Sequence, residues 1–319
     1  QIKNYLSDFL NKDIGEIFDE QIKNNQGILE MARIPFLLYI MACIIEKNLN
    51  NNTVNSNTQL LPHNKGALIK QFVEDICSDQ SKETVKTVDV PPTLKYKLLS
   101  MFAFDMLDCG NRGDYTCPAN IRNNIEDKYY KEKGITATQT AEILLKAEKE
   151  RLLKSGSAYG ELEFIHALVR DYFVAYYLSQ INKDELLERT EECLENTKWD
   201  EAIILLVGIV DEETSDAILK LLAVLDPYFG AQCFPKSKYV DSKTEDILIN
   251  ILLDKVKTHN LFSVLYKTLD AFVNLKSEKA LFPLIEFFGK CNEQTYVYLI
   301  VRTICELYSE RAVEPLLKL

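Results

Sequence analysis

Glycine and proline are scarce in this sequence, with 11 and 9 residues of 319. That scarcity argues against a sheet-rich fold, which needs frequent turns, and favours helices. No glycine stands in a G-x-x-x-x-G-K-[ST] pattern, and none precedes Lys-Ser or Lys-Thr. The backbone nest that cradles a nucleotide's phosphates therefore has no place in this chain. Only 3 histidines are present, with no H-E-x-x-H, no G-x-S-x-G and no spaced carboxylate–histidine set. As it stands, the chain is not a self-sufficient NTPase, protease or metalloenzyme.

Long apolar runs are lacking too. The longest, Ile34 to Ile45, is 12 residues between Arg33 and Glu46, too short to span a bilayer, and it reads as a buried core helix. There is no signal peptide, so a cytoplasmic protein without a membrane partner is expected. No two of the 8 cysteines have C-x-x-C spacing, and most sit inside apolar helical stretches, as reduced, buried thiols do.

Positive charge is also in deficit. The formal net charge is −11, distributed as about −3 over 1–89, about 0 over 90–181 and about −8 over 182–319. No basic face exists for a nucleic acid, which is not expected as a partner. The acidic last third suits a protein or cationic partner instead. The chain opens on Gln1 and stops at Leu319 inside a helical pattern, which reads as a piece of something longer.

What is present is helical periodicity. Helices are expected near Ile2–Leu10, Ile14–Lys23, Pro35–Lys47, Asn64–Ser78, Thr93–Asp108, Pro118–Lys131 and Thr138–Leu153. An Asn-rich loop follows the third of these, and Pro91-Pro92 marks a module boundary. At Ser155–Gly160 the pattern breaks, and Glu161–Ile165 alternates polar and apolar, the best strand signal in the chain. A strongly aromatic helix, His166–Leu178, follows at once. Three helices, a small hairpin and a further helix make a winged-helix-like outline.

From Asp184 onward only helices alternate with short turns. Here Leu269–Phe287 aligns with Val301–Leu319 at an offset of 32 residues, with 6 of 19 positions identical. Ser277-Glu278 and Pro283 fall on Ser309-Glu310 and Pro315. A helix ending in a Ser-Glu turn and restarting with a proline is the layout of a helical-hairpin solenoid. The expected fold is thus all-α: a helical module (1–89), a winged-helix module (90–181), then a connector and HEAT-like repeats (182–319).

Two segments are informative together: Arg33-Ile34-Pro35-Phe36-Leu37-Leu38 and Phe164-Ile165-His166 running into Asp171-Tyr172-Phe173-Val174-Ala175. Here the sequence resembles the STAND class of signalling NTPases, and its NACHT branch in particular. That family carries an x-Pro-Leu-Leu-Leu stretch in its helical module and Phe-x-His-x-x-x-x-[Glu/Asp]-Tyr-Phe-x-Ala in its winged helix. Phe36 replaces one leucine of the first, and the second is matched in full. Leu61-Pro62-His63-Asn64-Lys65-Gly66 is similar to the family's Leu-Pro-x-Asn-Arg segment. Stretches at Trp199–Leu206 and Asp226–Cys233 are similar to the entry into HEAT repeats in bacterial members.

The resemblance implies a role for two residues. Pro35 would line the adenine of a bound nucleotide. His166 would donate a hydrogen bond to the β-phosphate of ADP, a task for which an imidazole N–H is suited. It also implies an upstream P-loop domain in the same protein, holding ADP or ATP with Mg, and no nucleotide bound by this segment alone. The segment itself would not be an enzyme; its parent would be a slow ATPase switch. The repeats would sense a protein ligand, and prokaryotic relatives of this organisation are commonly linked to signalling and anti-phage defence. On residue types alone, Pro35 also reads as a helix start and His166 as a cap or core side chain. The rival function is a nucleotide-free HEAT-repeat scaffold for protein interaction. A winged-helix DNA binder would require basic charge that the middle segment lacks, and an enzyme built on such repeats, as in bilin lyases, finds no catalytic constellation here.

Overall fold

The computed structural model describes residues 26–50, 61–62, 64–78, 91–109, 116–117, 135–156, 162–258, 261–289 and 294–307. The helices expected near Ile2–Leu10, Ile14–Lys23 and Pro118–Lys131, most of the Asn-rich loop, and the second repeat copy beyond Leu307 lie outside them. The described chain is mostly helical, with three short strands among its described residues. It divides into two compact units, Gln1–Ile181 with Asn196–Ile209, and Asn182–Glu195 with Val210–Leu319.

In the first unit, α1 (Gln26–Ala32) turns into α2 (Pro35–Asn50), which packs on α3 (Lys65–Ser78). Then come α4 (Pro92–Cys109), β1 (Thr116–Cys117), α5 (Ala137–Lys149), β2 (Leu153–Ser155), β3 (Leu162–Phe164) and α6 (Ala167–Leu178). The helix expected to run to Leu153 ends at Lys149: Glu150–Leu152 turn away, with Arg151 in a left-handed conformation (φ 60°), and Leu153 opens β2. The strands make one antiparallel sheet, ordered β1-β3-β2, with Lys154 opposite Glu163 and paired to it at 3.2 Å. Leu162 and Phe164 point inward and Glu163 between them is less buried, the period-2 pattern visible in the sequence.

Helix α6 is the centre of this unit. Tyr172, Phe173, Val174 and Ala175 are buried, and α4, α3 and β3 all pack against it. Burying each large apolar side chain contributes about 1.5–3 kcal/mol. A helix apolar on every side cannot lie on a surface. The same logic governs α8 (Asp200–Ile209), where Ala202, Ile203, Leu205, Leu206 and Val207 are all buried. From the sequence, α8 groups with the segment 182–319; in the fold it packs on α6 and α3 and completes the first unit. The helices expected in separate modules 1–89 and 90–181 likewise share this one core, since α3 touches both α6 and α8.

The second unit holds α7 (Lys183–Cys193), α9 (Glu212–Leu225), α10 (Pro227–Cys233), α11 (Ser242–Thr258), α12 (Phe262–Leu275), α13 (Leu281–Gly289) and α14 (Gln294–Leu307). Contacts run α7 to α9 to α11 to α13 along one layer, and α10 to α12 to α14 along the other. Polar side chains start these helices. Asn182, Asp211 and Asp226 cap α7, α9 and α10, each accepting a backbone N–H, and Pro227 opens α10 where its missing N–H costs nothing.

Candidate functional site

Helix α2 begins at Pro35, directly after a turn in which Ile34 N–H donates to Met31 O at 3.0 Å. Proline suits a first helical turn because its ring presets φ and its missing amide had no partner to find. Pro35 is exposed, and the next residue, Phe36, turns inward. Its ring meets Phe72 of α3 edge-on at 6.4 Å and lies flat on the imidazole of His166, with centroids 3.9 Å apart and planes within 7°.

His166 is the N-cap of α6. Its backbone is extended (φ −151°, ψ 146°), and its Nδ1 accepts the Leu168 N–H at 3.1 Å. An accepting Nδ1 is unprotonated, so the neutral ring carries its proton on Nε2. Burial and the nearby charge of Lys65 both hold the His166 pKa below its ordinary value. Neutrality and the cap therefore support one another. The Nε2–H is a donor with no hydrogen-bond partner among the described residues.

Lys65 opens α3. Its Nζ pairs with Glu201 of α8 at 2.5 Å, with both side chains largely shielded from solvent. The residues around it each do local work: Asn64 caps the helix by accepting the Ala67 N–H at 2.8 Å. Gly66 lies so close to α8 that a Cβ would stand 3.0 Å from both Leu205 O and Ile209 Cγ2. The segment Asn64-Lys65-Gly66 thus docks α3 on α8 through a cap, an ion pair and a bare backbone.

The rest of the second motif is core. Arg170 donates from Nε and Nη2 to Asp171 Oδ1 at 2.9 and 2.7 Å, and both side chains are buried. Burial outweighs the Arg170 charge and pushes the Asp171 carboxyl up to about 6. Tyr172 and Phe173 are fully buried. Tyr176 packs on Tyr96, and Tyr177 packs on Phe104, which in turn meets Trp199.

The fold therefore brings the Pro35 and His166 segments together, but through Phe36, the residue that departs from the leucine pattern. Reasoning from sequence passed over Phe36, Lys65 and Glu201 as participants. The only available signal was that Lys65 stands where the similar family carries arginine. The chemical capacity of the arrangement is modest and specific: one oriented, neutral N–H donor beside one cation, which suits an anionic oxygen.

Among the described residues there is no group of three or more His, Cys, Asp or Glu side chains placed to hold a metal ion. Cys43 and Cys77 have their thiol pKa values raised, burial being the largest cause, so neither is an activated nucleophile. Among the described residues no helix is long and apolar enough to cross a membrane. No protein-family model and no curated protein matches the chain.

Proposed function

We propose that this chain is the regulatory and ligand-sensing portion of a NACHT-type signalling ATPase. It closes over ADP held by a P-loop domain of the same protein and relays partner binding by its repeats. The observation that carries the reading is the stack of Phe36 on His166. It unites the two segments on which the resemblance rests, and the imidazole N–H, which has no partner among the described residues, would meet a phosphate oxygen. The Mg ligands belong to the P-loop domain in this reading, and Pro35 contributes an apolar edge for the base.

Two features of the fold support the finer architecture. The small sheet beside α4, α5 and α6 suits a winged helix, and the two-layer succession of α7 to α14 suits HEAT-like repeats. As a switch, a phosphate contact made only in the closed state favours that state by its differential binding energy. One charge-assisted hydrogen bond supplies about 1.5–3 kcal/mol, enough to bias such an equilibrium.

The nucleotide-free scaffold is the second reading. It is favoured by the complete structural role His166 already has as a helix cap. The test is the nucleotide released by acid from the full-length protein, beside its His166→Leu variant. Stoichiometric ADP in the wild type, lost in the variant, is expected. Nucleotide in neither selects the scaffold, and equal amounts in both reduce His166 to its capping role.

A further inference from the structure

Helix α8 belongs to the first unit, but both of its ends run directly into helices of the second. Before it, only residues 194–196 separate α7 from the short 3-10 helix Thr197–Trp199 that leads into α8; after it, only Val210 and Asp211 precede α9. These connecting residues are tied down. The Leu194 and Glu195 N–H groups close the last turn of α7 on Glu191 O and Glu192 O, at 3.1 and 3.4 Å. Asn196 caps the 3-10 helix by accepting the Lys198 N–H at 3.1 Å. Val210 is buried, and Asp211 caps α9 by accepting the Thr214 N–H at 2.9 Å. A hinge needs residues whose dihedral angles can absorb a movement, and connections this short and this fully engaged pass a movement on instead.

Within the second unit α7 and α9 pack on each other, and Lys183 of α7 reaches Glu213 of α9 at 2.6 Å. Between them the chain makes the 10 residues of α8, a rigid length of about 15 Å. That length sets the spacing between the end of α7 and the start of α9, so a change in how those two helices pair must be met at α8. The first-unit end of this arrangement is equally defined. Trp199, the only tryptophan of the chain, is buried and packs on Phe104 at 5.3 Å, while Lys198 donates to Asp108 O in the last turn of α4 at 2.9 Å. Two residues on, Glu201 holds Lys65, whose charge bears on His166.

We propose that α8 is the strut through which the second unit acts on the His166 site. A partner that shifts α7 against α9 moves α8 in its seat on α3 and α6, and Glu201 carries that movement to Lys65. The inference rests on the partner-sensing part of the function above, but the coupling itself needs no nucleotide, so either can fail alone.

The experiment uses the whole chain without nucleotide and follows α8 by Trp199 fluorescence during urea unfolding. Leu186 is buried on α7, and Leu186→Ala loosens that helix on α9. It is expected to lower the Trp199 midpoint by about 1 M and to shift the imidazole NMR signals of His166. In a chain lengthened by a glycine pair after Glu195 and another after Val210, the same substitution is expected to move neither. A glycine pair inserted after Val240, in the connection from α10 to α11, adds length away from α8 and should leave both effects in place. Circular dichroism verifies that Leu186→Ala weakens the second unit in every chain, and the emission of Trp199 without urea verifies that α8 is seated. If the doubly lengthened chain does not seat α8, the insertion after Val210 alone takes its place. A Trp199 midpoint or His166 signals unmoved by Leu186→Ala overturn the proposal. So do equal shifts in the lengthened chain, because the coupling would then travel by another route.

Discussion

The ring of Phe36 covers one face of the His166 imidazole while the Nδ1 edge of that ring caps α6. One side chain thus fixes a helix start and joins α2 to α6. Truncating either ring is expected to destabilise the first unit. In a double-mutant cycle of Phe36→Ala and His166→Ala, urea unfolding should give a coupling of about 0.5–1.5 kcal/mol. A coupling of zero would mean that the stacked geometry contributes no energy.

The same ring sets a pH dependence. Burial and Lys65 hold the folded-state pKa of His166 below its ordinary 6.5. A depressed pKa contributes stability that is present above the unfolded value and lost as pH falls through the folded one. Between pH 7.5 and pH 5, the melting temperature of the wild type should therefore drop more than that of His166→Asn, which caps without titrating. Parallel melting curves for the two proteins would show that the cap does not titrate.

Lys95 of α4 and Glu150 at the end of α5 form an ion pair whose side chains are 3% and 14% exposed. Removing one partner leaves a buried charge without its counterion. Lys95→Met alone should cost about 3–5 kcal/mol, and Lys95→Met combined with Glu150→Met should recover most of that loss. Equal destabilisation of the single and double variants would contradict the pairing.

Gly66 is required by distance and not by backbone conformation, since a Cβ there meets a carbonyl oxygen that cannot move aside. Gly66→Ala should cost about 1–3 kcal/mol by forcing α3 away from α8. An unchanged denaturation midpoint would show that the two helices part without penalty.

Much of this fold was legible in the chain itself. Helical period located α2 to α6 to within a few residues, because amphipathic burial writes itself into sequence locally; from Asp184 onward it indicated helices and short turns without their individual bounds. The alternation in Glu161–Ile165 gave β3 for the same reason. A small hairpin was expected there, but the position of its other strand was hidden: Leu153 ends the apolar helical pattern, and Leu153–Ser155 becomes β2 only through pairing with β3. The Phe36–His166 contact was hidden as well. It depends on where α2 and α6 lie relative to one another, which no local pattern encodes. The assignment of α8 to the first unit belongs to the same class, since an all-apolar helix declares that it is buried without declaring where.

The path of the chain between the two units carries a consequence for its synthesis. It leaves the first unit at Ile181, spends α7 in the second, returns for α8, and departs again after Ile209. The first unit therefore cannot complete its core until residue 209 has left the ribosome, with α7 already emerged and lacking the neighbours it will later have. A single cut near residue 181 would leave one product without the helix that completes its core and the other with a strongly apolar segment to shelter. In this protein, folding order and domain order along the chain are different things.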